Sequence, residues 1–170
     1  MLHLMLPKLT VRTIYDIDLQ ELKRRGIRGI MTDLDNTLVG AKVALATPEL
    51  GDWLEHVRSE GFQVVVVSNN NDTRVRAFAE PLSLPFVSRA RKPMTAAFAR
   101  ALSIMRLPPN EAAIVGDQIM TDVLGGNRLG LFTILVEPIA REDESFFTRN
   151  INRNLERAFA NRLRKKGWLP

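Results

Sequence analysis

The chain has 170 residues, of which 45% are hydrophobic and 25% charged, with a formal net charge of +5 and no cysteine. This length suits one domain with its own core, and the lack of cysteine excludes disulfide staples and thiolate chemistry. Two histidines, His3 and His56, argue against a histidine-rich zinc site. No apolar run could cross a bilayer and the N-terminus lacks a signal-peptide pattern, so we expect a cytoplasmic protein.

Apolar segments alternate with helix-like segments between residues 27 and 136. The predicted strands are Ile27–Thr32, Gln63–Val67, Phe86–Val87, Ala112–Val115 and Leu131–Val136. The predicted helices are Thr47–Glu60, Asp72–Glu80, Met94–Met105 and Thr121–Leu129. Strands separated by helices of this length indicate a parallel sheet with helices on both faces. We therefore predict a single doubly wound α/β domain.

Polar residues follow three of these strands directly. Asp33, Ser68 and Asp117 each lie at or just after the end of an apolar strand. Ligands of doubly wound sheets bind beyond the carboxyl ends of the strands. We therefore expect these three residues to lie near one another in a functional site.

The segment Asp-Leu-Asp-Asn-Thr, residues 33–37, places two carboxylates two residues apart. One carboxylate of such a pair can ligate a hard divalent cation and attack an electrophile, while the other transfers a proton. Asp and Asn also favour turns and helix caps, so the pattern alone is equally compatible with a structural role.

Ser68 begins the segment Ser-Asn-Asn-Asn after a continuously apolar strand. Its hydroxyl, together with loop amides, can hydrogen-bond a phosphate oxygen. Asn69 and Asn70 can add amide donors or can simply tolerate unusual backbone angles. Taken alone, the serine is more typical of an ordinary polar loop.

Lys92 precedes Pro93 and the alanine-rich predicted helix. A lysine at this point can neutralise a phosphate and keep a neighbouring carboxylate ionised. Arg89 and Arg91 lie close by, but the proline at the expected helix start makes Lys92 the best-placed candidate. Most lysines are solvated surface groups, which is the simpler interpretation.

The fourth group is Gly116-Asp117, followed five residues later by Asp122. Asp117 ends a predicted strand and could supply an oxygen ligand to a metal ion. Asp122 could hydrogen-bond the lysine or the metal ligands, or could simply be an acidic residue favoured near a helix N-terminus.

In this order, the four groups resemble the motifs of the haloacid dehalogenase (HAD) superfamily of aspartate-nucleophile phosphohydrolases. The segments DLDNTL, VVVVSNN, RKP and GDQIMTD more narrowly resemble the YqeG-type phosphatases of subclass III, to which the phosphatidylglycerophosphate phosphatases of mitochondria and plastids are similar. The resemblance covers roughly residues 7–140, and the joint set of motifs is much more specific than any one of them.

The resemblance implies a role for each matching residue. Asp33 would be the nucleophile that becomes an aspartyl-phosphate, and Asp35 would protonate the leaving oxygen and then activate water. Ser68, Asn69 and Lys92 would hold the phosphoryl group. Asp117 would bind Mg²⁺ together with Asp33 and the backbone carbonyl of Asp35, while Thr37 and Asp122 would support these ligands from behind.

The intervals between the motifs each hold about one helix and one strand, which leaves no room for the cap domain that many relatives insert. An uncapped site is open and could act on a phosphate displayed by a macromolecule or a membrane. We therefore predict one phosphatase domain over residues 1–148 without a cap.

Residues 149–170 form a separate, strongly basic segment. It contains seven basic residues and one acidic residue, a charge of +6, which leaves −1 for residues 1–148. Apolar residues recur every four positions at Phe147, Ile151, Leu155, Phe159 and Leu163. The pattern predicts a basic amphipathic helix, which could pack on the domain, bind anionic lipid or bind nucleic acid.

The leading hypothesis is a Mg²⁺-dependent phosphomonoesterase of the cytoplasm that acts on a lipid-linked phosphate such as phosphatidylglycerophosphate, at the inner face of the membrane. The alternatives are a soluble phosphatase of sugar phosphates or nucleotides, a receiver-like phosphoacceptor and an RNA- or ribosome-binding module. The receiver pattern places its lysine last, whereas here Asp117 follows Lys92. Nucleic-acid binding is the least favoured because the acidic cluster is complete.

Overall fold

The computed structural model describes residues 2–139 together with positions 157, 161, 164 and 165. Six strands are present in the described chain: β1 (Leu9–Thr10), β2 (Gly29–Thr32), β3 (Gln63–Val67), β4 (Phe86–Val87), β5 (Ala112–Gly116) and β6 (Phe132–Leu135). All pair in parallel, in the order β1-β6-β5-β2-β3-β4. The predicted parallel α/β sheet is confirmed.

The α-helices of residues 2–139 are α1 (Leu19–Arg24), α2 (Pro48–Ser59), α3 (Asp72–Ala79), α4 (Ala96–Met105) and α5 (Leu124–Leu129). Helix α2 begins where the sequence predicts: the Thr47 side chain accepts a hydrogen bond from the Leu50 amide, and Pro48 occupies the first turn. After α2, Gly61 adopts a positive φ of 91°, which glycine tolerates without steric strain.

Two predicted helices start differently. The helix predicted from Met94 begins at Ala96, because the Met94 amide bonds to the Arg91 carbonyl in a separate turn. The helix predicted from Thr121 begins earlier, with a π-helical turn over Ile119–Val123 that leads into α5. Strand β1 was not predicted; it has two residues and pairs with β6, which lies more than 120 residues later in the chain.

The strands are buried on both faces, which explains their continuously apolar sequences. Along β3, Val64 and Val66 belong to one core cluster, whereas Val65 and Val67 belong to a second cluster on the opposite face. The first cluster packs under α1, α2 and α3, and the second packs under α4. The sheet is therefore rigidly held between two helical layers.

The sheet changes its direction of winding between β2 and β5, which are neighbours in space although α2, α3, α4 and two strands separate them along the chain. The carboxyl ends of these two strands therefore form the crevice in which such sheets bind ligands. Within residues 2–139, one helix lies between β2 and β3 and one between β3 and β4, apart from a short 3₁₀ turn, so neither interval contains a cap domain.

Most of the basic C-terminal segment lies outside the described residues, including its predicted apolar stripe. The four described positions, Arg157, Asn161, Arg164 and Lys165, are helical and exposed. Their spacing places them on one side of a helix. Among the described residues, no helix is both long enough and apolar enough to span a membrane.

We predict that Gly126→Ala destabilises the fold, whereas Gly51→Ala does not. A Cβ on Gly126 would lie 2.5 Å from the Ile114 Cγ2 and 2.7 Å from the Thr133 Cγ2, so α5 could not pack as closely on the sheet. Overpacking of this kind lowers the free energy of unfolding by about 1–3 kcal/mol. Urea unfolding monitored by circular dichroism measures the change.

Gly51→Ala is the matched control, because this glycine lies within α2 and a Cβ there would meet no atom within 4 Å. Alanine should raise the free energy of unfolding by about 0.5–1 kcal/mol through helix propensity. Equal stability of the two variants would contradict the packing described for α5.

Candidate active site

Two aspartates meet at the carboxyl ends of β2 and β5. Asp33 is the first residue after β2 and Asp117 the first after β5. The strands are in register, with Thr32 paired to Val115, and the Asp33 amide donates to the Val115 carbonyl at 2.9 Å. Strand pairing alone therefore places the two carboxylates side by side.

Lys92 reaches this pair from the loop after β4. Its Nζ donates to the Asp33 Oδ1 at 2.8 Å, to the Asp122 Oδ1 at 2.7 Å and to the Val67 carbonyl at 2.9 Å. An ammonium group has three N–H donors, so these acceptors satisfy it completely. Lys92 is only 6% exposed, and its charge is therefore balanced inside the protein and not by solvent.

The loop that carries Lys92 is anchored by Asn69. The Asn69 Oδ1 accepts from the Lys92 amide at 2.7 Å, and its Nδ2 donates to the Lys92 carbonyl at 3.4 Å. Ser68 is 1% exposed; its carbonyl accepts from the Ala90 amide and its Oγ accepts from the Asn70 amide at 3.1 Å. The polar segment after β3 thus organises the lysine loop.

Asp122 lies beneath the cluster, on the π-helical turn before α5. It is 1% exposed, and its Oδ2 accepts from the Gln118 amide at 3.3 Å while its Oδ1 binds Lys92. A Cβ on Gly116 would overlap the Asp122 carboxylate. The Gly-Asp pair at the end of β5 therefore lets Asp122 approach the strand closely.

Three carboxylates share this small volume. One oxygen of each of Asp33, Asp117 and Asp122 lies within 4.8 Å of the others. Burial raises the pKa of Asp33 to about 6, with Asp122 adding to the rise and Lys92 opposing it. Burial and the charges of Asp33 and Asp122 raise the pKa of Asp117 to about 8.

These carboxylates and the single ammonium leave an excess of buried negative charge. Burial by itself favours the neutral amine, but the carboxylates of Asp122 and Asp33 raise the pKa of Lys92 above its ordinary value. A divalent cation would relieve the remaining repulsion, and carboxylate oxygens are ligands that Mg²⁺ prefers. The residues present therefore fit a hard divalent ion.

The loop after β2 closes the site on one side. The Thr37 Oγ1 donates to the Asp117 Oδ1 at 3.4 Å, and Thr37 is 2% exposed. Asn36 has a positive φ of 63°, a conformation in which asparagine is favoured over most residues. This turn brings Thr37 back over the cluster.

The Asp35 side chain makes different contacts from those that link Asp33, Lys92 and Asp122. The Asp35 carboxylate binds the Asn70 Nδ2 at 2.9 Å and an Arg74 NH2 group at 3.0 Å. Arg74 was not among the predicted site residues, because an arginine inside a helix is usually a solvated surface group. Its place six residues after Ser68, in the first turn of α3, was the available signal.

A cleft of about 450 Å³ adjoins the site; its lining is mostly apolar but includes Arg12, Glu49 and Glu137. Thr37, which contacts Asp117, also lines this cleft. Its rim includes three exposed hydrophobic side chains, Tyr15, Val43 and Ile139. The site therefore opens beside a surface that can accommodate an apolar group.

Two family models match the chain, the mitochondrial PGP (phosphatidylglycerophosphate) phosphatase model over residues 2–83 and the HAD-hydrolase-like model over residues 89–142. The chain is 49% identical to "Probable phosphatase YqeG" of Bacillus subtilis (strain 168), over 96% of this chain and 94% of that protein. It is 31% identical to the chloroplastic/mitochondrial phosphatidylglycerophosphate phosphatase 1 of Arabidopsis thaliana, over 97% of this chain but only 50% of that protein.

Solved structures share the fold. The cobalt-bound deoxy-D-mannose-octulosonate 8-phosphate phosphatase of Haemophilus influenzae superposes with a TM-score of 0.54 at 17% identity, over 66% of this chain and 69% of that one. The sequence identity to the Bacillus protein over nearly the whole of both chains establishes the family. The chain is thus a phosphatase and belongs to the YqeG-type phosphatases of the HAD superfamily.

Proposed function

We propose that the protein is a Mg²⁺-dependent phosphomonoesterase that works through an aspartyl-phosphate on Asp33. The observation that carries this proposal is the buried cluster in which Lys92 is bonded to Asp33 and Asp122 and lies beside Asp117. An isolated carboxylate is repelled by an anionic phosphate. The lysine and a bound cation together reduce this repulsion.

Asp33, Asp117 and the backbone carbonyl of Asp35 would hold the ion, with Asp122 and Thr37 supporting the lysine and Asp117. When bound, Mg²⁺ offsets the charge of the phosphoryl group. Asp122 is the less suitable ligand, because both of its oxygens already accept hydrogen bonds. Its contacts instead fix the ammonium of Lys92.

The residues of the chain divide the reaction into two steps. An Asp33 oxygen attacks phosphorus, the bond from phosphorus to the ester oxygen breaks, and Asp35 donates a proton to that oxygen. Water then attacks the phosphoryl group, gives a proton to Asp35, and the bond from phosphorus to Asp33 breaks. Lys92 and Ser68 orient the phosphoryl oxygens, and Asn69 keeps Lys92 in place through its backbone contacts.

We propose a lipid-linked phosphate, with phosphatidylglycerophosphate as the first candidate, as the substrate. The match of residues 2–83 to the PGP phosphatase model supports this choice. The mostly apolar cleft beside Thr37 gives it a physical basis, since an uncapped site next to apolar surface suits a phosphate carried by a lipid. The basic C-terminal segment would bring the protein to the inner face of an anionic membrane.

Asp33→Asn should abolish hydrolysis of p-nitrophenyl phosphate, because an amide cannot attack phosphorus to form the acyl phosphate. A thermal melt should show that the Asp33→Asn protein is folded. In the unmodified enzyme, chelation of Mg²⁺ should stop hydrolysis, and added Mg²⁺ should restore it. Steady-state kinetics with and without EDTA measures both effects. Substantial turnover by folded Asp33→Asn protein would remove the nucleophile assignment.

The substrate proposal predicts that phosphatidylglycerophosphate in mixed vesicles is hydrolysed with the highest kcat/KM. The comparison set is glycerol 3-phosphate, a hexose phosphate and a nucleoside monophosphate, and released phosphate is the readout. The lipid should exceed glycerol 3-phosphate by at least about 10-fold, which corresponds to roughly 1.4 kcal/mol from apolar contacts. A soluble ester with the highest kcat/KM would instead identify a soluble-substrate phosphatase.

Deletion of residues 149–170 should spare hydrolysis of p-nitrophenyl phosphate, since every proposed site residue precedes this segment. The truncated protein should bind anionic vesicles less well, and binding of the full chain should weaken with added salt, because each basic side chain near the surface contributes about 1 kcal/mol. Vesicle co-sedimentation and a thermal melt test this prediction. Unchanged sedimentation with a large loss of stability would place the segment in the core.

A further inference from the structure

Arg74 and Asn70 hold the Asp35 carboxylate from two sides. An Arg74 NH2 group donates to the Asp35 Oδ1 at 3.0 Å, and the Asn70 Nδ2 donates to the Oδ2 at 2.9 Å. Asn70 is itself fixed, because its Oδ1 accepts from the Asn71 amide at 2.8 Å. The side chains of Arg74 and Asp35 are 17% and 22% exposed, so water screens this ion pair only partly.

The position of Arg74 carries two costs that offset part of the gain from its ion pair with Asp35. Its Nε is buried and has no hydrogen-bond partner among the described residues, which costs free energy. Arg74 also lies in the first turn of α3, where the positive end of the helix dipole disfavours a cation. An arginine that pairs with Asp35 in spite of these costs suggests a role in the adjoining site.

Arg76, two residues further along α3, shows the ordinary arrangement. It pairs with Asp72 at 3.1 Å and with Glu80 at 2.8 Å, both on the same side of the helix surface, and its side chain is 52% exposed. Arg76 therefore provides a matched control for charge and helix context.

We propose that Arg74 is a positioning residue that acts on turnover through Asp35. Arg74 and Asn70 together bind both oxygens of the Asp35 carboxylate. The carboxylate therefore stays in one orientation and does not have to change rotamer before each proton transfer. The inference rests on the proposed function, in which Asp35 exchanges protons with the leaving oxygen and with water. Arg74 is not assigned a contact with the phosphoryl group.

The test is a double-mutant cycle of Arg74→Met and Asp35→Asn at saturating Mg²⁺, with glycerol 3-phosphate as the probe, because its alkoxide leaving group needs a proton. Arg74→Met should lower kcat by about 10-fold, the usual size for loss of a supporting contact, with little change in KM. Arg74→Lys should recover part of kcat, because it keeps the cation. Arg76→Met should retain the kcat of the unmodified enzyme.

In the Asp35→Asn background, Arg74→Met should cause no further loss beyond about twofold, because the residue acts through the missing carboxylate. Equal losses in both backgrounds would overturn the proposal, as would a higher KM at unchanged kcat, which would indicate direct phosphate binding. An equal loss in Arg76→Met would also overturn it. A full rate for Asp35→Asn alone would overturn the acid–base assignment itself, a failure that the cycle separates from the others.

Discussion

The site depends on one buried ammonium group. Lys92 is almost completely removed from water, and its three N–H donors are taken by Asp33, Asp122 and the carbonyl that ends β3. Burial of an unpaired charge would cost several kcal/mol, so the lysine, the two carboxylates and the strand end must be arranged together. The loops after β2, β3, β4 and β5 all meet at this point.

The backbone is adapted to deliver that lysine. Arg89 and Arg91, on either side of Ala90, both have positive φ values, 47° and 54°, although neither is glycine. Such conformations cost free energy and persist only where the surroundings fix them. Here the fixing contacts are the Asn70 carbonyl, which accepts from the Arg89 amide at 2.8 Å, and the Asn69 side chain on Lys92. The asparagines after β3 therefore support the lysine loop as much as they line the site.

The openness of the site affects how a substrate could be selected. Residues 2–139 contain no cap that could enclose a substrate, so selection would depend on surfaces beside the cluster. Two residues of the loop after β2 face different surroundings: Thr37 lines the cleft, whereas Asp35 contacts Asn70 and Arg74. If Asp35 transfers protons and the cleft selects the substrate, as proposed, substitutions on the two sides of this loop would change these two properties separately.

The parallel α/β class and the place of the candidate site were both predictable from local sequence patterns. Continuous apolar runs such as Val64–Val67 indicate strands covered on both faces, and polar residues directly after them mark the carboxyl edge. The helix starting at Pro48 was also predictable, because capping by Thr47 is a local interaction.

Tertiary structure alone decided the features that depend on distant contacts. Strand β1 has two residues and exists only through its pairing with β6, so no local pattern specifies it. The π-helical turn that carries Asp122 depends on close approach to Gly116, and the cleft beside Thr37 combines segments far apart in the chain. Arg74 and Arg76 are the same residue type on the same helix, yet Arg74 pairs with Asp35 and Arg76 pairs with Asp72 of its own helix. Only the fold decides between these partners, because packing and not composition sets which side chains of different elements meet.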